Sequence, residues 1–104
     1  MSRSSATPIL TVISWREIPA QVTAKLGRDT ARRELSARFQ VAIDRAAMAA
    51  GLFGTDDYLT EWRRESRPCG PDLEAEVAAE AARLEAIFTQ DLLSALWDNG
   101  GLKP

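Results

Sequence analysis

Two short runs of β-forming residues lie close together near the start of this chain: Ile9–Trp15 (ILTVISW) and residues 20–26 (AQVTAKL), joined by residues 16–19. The first is rich in β-branched and aromatic residues, and its nearly continuous apolar content suits a strand covered on both faces. The second alternates, with Ala20, Val22, Ala24 and Leu26 facing one way and Gln21, Thr23 and Lys25 the other, so it has one buried face and one wet one. An antiparallel hairpin is the simplest solution. Pro19 belongs at its turn or edge because it cannot donate to a ladder. A hairpin alone is marginal in water, so its apolar face must lie on the rest of the chain. Unpaired edges recruit other strands, and this one is expected to gain strands from a second copy or a different protein.

Beyond Leu26 the pattern turns helical. Gly27 breaks the strand, Asp29 or Thr30 offers a capping oxygen, and Leu35, Phe39, Ala42, Ile43 and Ala46 recur at helical spacing up to the stop at Gly51. This predicts a first helix over residues 30–50. A second, over residues 55–64, carries Asp56 and Asp57 in its first turn and Arg63 and Arg64 in its last, as the helix dipole favours. Residues 66–71 (SRPCGP) read as a loop, with Pro71 suited to the first position of the next helix. Residues 72–97 read as one amphipathic helix, with Leu73, Val77, Ala81, Leu84, Phe88, Leu92 and Leu96 on one face. The predicted fold class is α+β: an N-terminal β-hairpin packed on three helices, in the order β-β-α-α-α. Residues 1–8 are expected to be a disordered tail, 9–98 one domain and 99–104 a C-terminal tail.

Composition narrows the function classes. The chain has no histidine and a single cysteine, Cys69. That removes an internal disulfide, most zinc sites, histidine general bases and the Ser-His-Asp and Cys-His nucleophiles. No catalytic constellation, cofactor motif or metal set is recognisable. No apolar run reaches the ~20 residues of a membrane span, and the first residues lack a secretory h-region. A cytoplasmic location with no membrane partner is the expectation. Residues 1–67 hold eleven Lys/Arg and eight Asp/Glu, or +3, whereas residues 68–104 hold two and seven, or −5. Such asymmetry marks a charged partner surface or an acidic helix lying against the basic part of the same molecule. The basic stretch lacks interleaved aromatics and the pI is about 5.1, so nucleic acid is not an expected partner.

Several residues are candidates for contact. Arg28, Arg32 and Arg33 crowd the predicted start of the first helix, where free N–H groups bind anions. The plainer alternative turns them back to Asp29 or Glu34. Trp15, Arg16, Glu17 and Gln21 surround the hairpin turn, and Trp and Arg are enriched at interface centres. The alternative places Trp15 in the core, with Arg16 and Glu17 wet at a turn. Asp56, Asp57 and Glu61 suggest a cation, although without calcium-loop spacing, and capping explains the same residues. Cys69 reads as a passive loop thiol.

The stretches WREIPAQV, GRDTARREL, RFQVAIDRAAM and DDYLTEWRR together resemble the small bacterial domain family labelled "virulence factor". They are also similar to a segment of conserved virulence factor C. The resemblance covers residues 9–67 and leaves the helix over 72–97 outside. Its matched positions are Trp15, Arg16, Ile18, Pro19, Gln21, Arg38, Phe39, Asp44, Tyr58, Trp62 and Arg63. The family label reflects a phenotype and not an activity, so the resemblance implies no catalytic residues. It does imply an accessory role near enzymes of folate and corrinoid one-carbon transfer.

The leading expectation is a non-catalytic interaction module or accessory subunit. It would dock a protein partner or a second copy through the hairpin turn and edge and the basic helix start. The alternative is a small-ligand or enzyme subunit of one-carbon methyl transfer, holding an anion with arginines. What separates them is whether Arg28, Arg32, Arg38 and Arg63 converge.

Overall fold

The computed structural model describes residues 6–103; the first five positions of the expected N-terminal tail lie outside them. Along the chain run β1 (Ile9–Trp15), β2 (Ile18–Leu26), β3 (Asp29–Glu34), α1 (Ala37–Ala49), α2 (Asp56–Thr60), β4 (Trp62–Pro68), α3 (Leu73–Ile87) and α4 (Gln90–Asp98). The architecture is α+β, but the hairpin is the centre of a four-stranded antiparallel sheet of order β3-β2-β1-β4. Three expectations are thereby corrected. The basic segment after Gly27 is a strand, the second helix stops at Thr60 and gives way to β4, and the long C-terminal helix is two helices.

Each difference has a local cause. Gly27, at φ 61, and Arg28 make a two-residue turn from Leu26 to Asp29, and glycine adopts that backbone without strain. β3 then pairs along β2 from Leu26↔Asp29 to Gln21↔Glu34, so main-chain pairing outweighs the helix-forming character of Ala-Arg-Arg-Glu-Leu. β4 (WRRESRP) has almost no apolar alternation, yet it pairs with β1 over its full length. The C-terminal helix breaks at Phe88, and the Thr89 hydroxyl caps α4 by accepting from the Leu92 N–H at 3.2 Å. Both outer edges of the hairpin are therefore filled by the chain's own β3 and β4, which removes the premise of docking at the hairpin edge.

The β1–β2 register slips between Ile13 and Ser14: Ile13 faces Gln21 and Ser14 faces Pro19, leaving Ala20 as an extra residue. Pro19 thus sits at a bulge, where a central strand tolerates a missing N–H. On one sheet face Leu10, Val22, Ala24 and Ala31 are buried together with Leu73, Val77, Ala81 and Leu84 of α3, which packs on β2 and β3. At the turn end, Trp15 and Ile18 join Phe39, Ala42, Ile43, Ala46 and Ala47 of α1 and Leu93 and Leu96 of α4 in the same continuous core. The i, i+3, i+4, i+7, i+8 spacing of the α1 set is the apolar stripe of a surface helix.

Candidate functional site

The WREIP turn is a structural joint. Trp15 is fully buried, stacks on Tyr58 with centroids 5.5 Å apart, and donates its indole N–H to the Tyr58 carbonyl at 2.8 Å. Arg16 adopts φ 52, in the left-handed region. Its Nε donates to Glu61 Oε1 at 2.7 Å and its Nη1 to the Gly100 carbonyl at 3.0 Å. The Arg16 and Glu17 N–H groups donate to the carbonyls of Glu61 and Gly101. Gly101, at φ 88, lies so close that a Cβ there would stand 3.0 Å from the Trp15 ring. Residues 100–101, expected in a tail, are thus buried under the turn. Glu61, a candidate cation ligand beside Asp56 and Asp57, turns to Arg16 instead.

Arg38 is a second joint. Its guanidinium donates to the main-chain carbonyls of Glu85 (2.8 Å) and Phe88 and to Glu85 Oε1 (2.9 Å). The same carboxylate accepts from the Ser36 N–H at 2.7 Å and meets the Ser36 hydroxyl at 2.9 Å. Glu85 therefore caps α1 from another helix, where a negative charge complements the dipole. Burial pushes the Glu85 carboxyl up, but the bonds from Ser36 and Arg38 outweigh it and hold the group below the usual carboxylate range. A third cluster joins β4 to α3. Glu80, 4 % exposed, accepts from Arg83 Nε at 2.9 Å and Arg67 Nη2 at 3.2 Å. The Arg83 bonds chiefly lower its pKa against the cost of burial. Burial and then the Glu76 carboxylate raise the Cys69 thiol, away from the reactive thiolate.

The nine predicted contact residues do not all come together: Arg16, Glu17 and Arg63 line one small cavity of about 250 Å³ beside the turn, and the others lie apart from it. Trp15 is core, while Arg16 and Arg38 are internal ties. Arg28 is in the β2–β3 turn, Arg33 is on β3 and Arg63 is on β4 at the opposite edge. No helix N-terminus gathers Arg28, Arg32 and Arg33, and Arg28, Arg32, Arg38 and Arg63 diverge. Gln21 and Arg32 remain on a shared surface. That surface is the outer sheet face away from the turn, formed by the rows Pro68–Ile9–Lys25–Thr30, Ser66–Thr11–Thr23–Arg32 and Arg64–Ile13–Gln21–Glu34. Not one of these residues is buried. Thr11 and Ser66 share a hydroxyl hydrogen bond of 2.8 Å. Lys25, Arg32 and Arg64 against Glu34 make this face positive in a chain of net charge −2. Among the described residues none of these four is in an ion pair.

Where this face meets α1 there is a cavity of about 840 Å³, open to solvent and lined by Ile13, Ala20, Gln21, Glu34, Ser36, Gln40, Trp62 and Arg64 among others. Trp62 stands edge-on to Tyr58 at 6.1 Å. Of these residues, sequence reasoning named Gln21 and Trp62. Glu34 and Arg64 were placed on helices, where no signal could align them with Ile13. The only clue to the open face was the polar alternation of Gln21, Thr23 and Lys25.

Fold and site together describe a small α+β domain with one sheet face covered and the other partly open. The chain matches the family model described as Virulence factor over residues 13–96 and belongs to that family. The match runs through α3 and most of α4, so the C-terminal helices are part of the family domain and not an addition to it. No curated protein and no solved structure matches the chain.

Proposed function

We propose that this domain is a non-catalytic interaction module, an accessory subunit that docks an acidic protein partner on its open sheet face. The observation that supports the reading is that face: Ile9 and Ile13 half-exposed among Thr, Ser and Gln, ringed by Lys25, Arg32 and Arg64 and left uncovered by four helices. Half-exposed apolar side chains with a charged rim are the anatomy of a moderate interface, in which charge steers approach and orientation. The docking surface is not the hairpin turn, because the chain's own Gly100 and Gly101 occupy it.

The test compares proteins recovered from native lysate by the tagged wild-type chain, by Lys25→Glu/Arg32→Glu, and by Arg45→Glu. Arg45 lies on α1 over Trp97, 5.1 Å from the ring centroid, outside that face. The expected result is an acidic protein retained by wild type and Arg45→Glu and lost by the face variant. Equal recovery by all three overturns the reading.

The pocket supports a second reading, a small-ligand subunit, for which the family resemblance suggests folate or corrinoid one-carbon transfer. Arg64 would then be the cation for an anionic ligand. Thermal stabilisation of wild type by folate or phosphate, absent in Arg64→Ala, is its signature.

A further inference from the structure

The row that floors the pocket has an ordered chemistry. From one sheet edge to the other it reads Arg64, Ile13, Gln21, Glu34: a cation, an apolar side chain, an amide and an anion. These four residues stand on four adjacent strands. At about 4.8 Å per strand the Cα atoms of the two charged residues are roughly 14 Å apart. An extended peptide advances about 3.4 Å per residue, so residues i and i+4 of such a segment span the same distance. Ile13 lies between the charges, and Ala20 and Trp62 beside this row complete the apolar wall. The Gln21 amide makes no side-chain hydrogen bond among the described residues and is available to a peptide group.

We infer that the pocket holds an extended segment of the partner that crosses the strands with an acidic residue at Arg64, an apolar residue against Ile13 and Trp62, and a basic residue at Glu34, the two charges four positions apart. This rests on the interaction-module reading and specifies which peptide chemistry its face selects. Arg32 lies two residues from Glu34 on the same face and opposes a cation there, so the Arg64 contact is the stronger of the two. The exposed Arg67, on the other face of β4, is committed to Glu80 and does not compete.

The test uses three blocked pentapeptides, Glu-Ala-Leu-Ala-Lys, Gln-Ala-Leu-Ala-Gln and Glu-Ala-Leu-Ala-Glu, titrated into the full chain while amide and indole NMR signals are followed. The expected result is shifts at Ile13, Gln21 and the Trp62 indole, with the Glu/Lys peptide several-fold tighter than the other two. Exposed charge pairs are individually weak and reversal turns attraction into repulsion, so Arg64→Glu weakens the Glu/Lys peptide by about tenfold and Glu34→Lys by about threefold. The double exchange Arg64→Glu/Glu34→Lys restores binding, because the peptide then runs in the opposite direction. Both positions are exposed and neither is tied to the core, and circular dichroism verifies the fold of each variant. Equal affinity for the three peptides, shifts centred elsewhere, or a double variant no better than Arg64→Glu overturns the inference. Loss of the lysate partner in Lys25→Glu/Arg32→Glu would still stand in that case, leaving the broader reading intact.

Discussion

Arg16 shows how a residue that reads as a surface contact becomes a structural tie. A two-residue hairpin turn requires left-handed backbone, which glycine or asparagine supplies without strain. Here an arginine supplies it, at a cost of roughly 1–2 kcal/mol, because its side chain and N–H reach Glu61 and Gly100 while its neighbour's N–H reaches Gly101. Hydrogen bonds to charged groups contribute about 1.5–3 kcal/mol each at best, enough to hold the strained turn. The two effects separate by substitution. Arg16→Ala loses the bonds and keeps the strain, whereas Arg16→Gly loses the bonds and relieves it. Urea unfolding should show Arg16→Ala destabilised by about 2–3 kcal/mol and Arg16→Gly milder by about 1 kcal/mol. Equal losses would mean that the turn conformation is not strained in the folded chain.

At the scale of elements, the carboxylates of α3 fasten it to its neighbours: Glu85 holds the start of α1, and Glu80 holds Arg67 of β4. Both have pKa values below the ordinary carboxylate range. A group whose folded pKa is depressed contributes stability that is fully present above its unfolded value and lost as pH falls through the folded one. Stability should therefore fall as pH drops below about 4.5. Glu80→Gln and Glu85→Gln should be less stable than wild type at pH 7 by about 1 kcal/mol each and should lose less on acidification. Parallel pH profiles for wild type and both variants would contradict this. Arg38→Ala, which frees two carbonyls at the end of α3, should cost about 2 kcal/mol.

Strands β1 and β2 and the stripe of α1 were legible because their apolar periodicity is local. Strands β3 and β4 were not. Each buries at most Ala31 on its own account, and each exists through main-chain bonds, β3 to its hairpin neighbour β2 and β4 to β1 far back along the chain. Their arginines mark edge strands, where charge discourages further pairing. On a helical reading the same arginines became an anion site and a dipole-matched helix end. The C-terminal break escaped notice because Phe88 and Leu92 continue the apolar register across it.

For the whole molecule, the helices are unevenly shared between the two sheet faces. One face lies under α3. The other is covered at the turn end, while the rows through Ile9, Thr11 and Ile13 are left open. The site therefore emerges from the strand partners of Ile13 and not from any contiguous motif. The residues that carry the resemblance mostly build the scaffold: Trp15, Arg16, Ile18, Pro19, Arg38, Phe39 and Tyr58 hold the turn, the bulge and the helix contacts, and of the WREIPAQV stretch Ala20 and Gln21 reach the pocket. The five isoleucines report on this division directly, because Ile9 and Ile13 lie on the open face, Ile18 and Ile43 are fully buried and Ile87 is exposed at the end of α3. The most direct measurement is methyl NMR of isoleucine-labelled chain on addition of the recovered partner. The account predicts shifts of Ile9 and Ile13 with Ile18, Ile43 and Ile87 unmoved. Shifts confined to Ile18 or Ile87, with Ile9 and Ile13 unchanged, would contradict it.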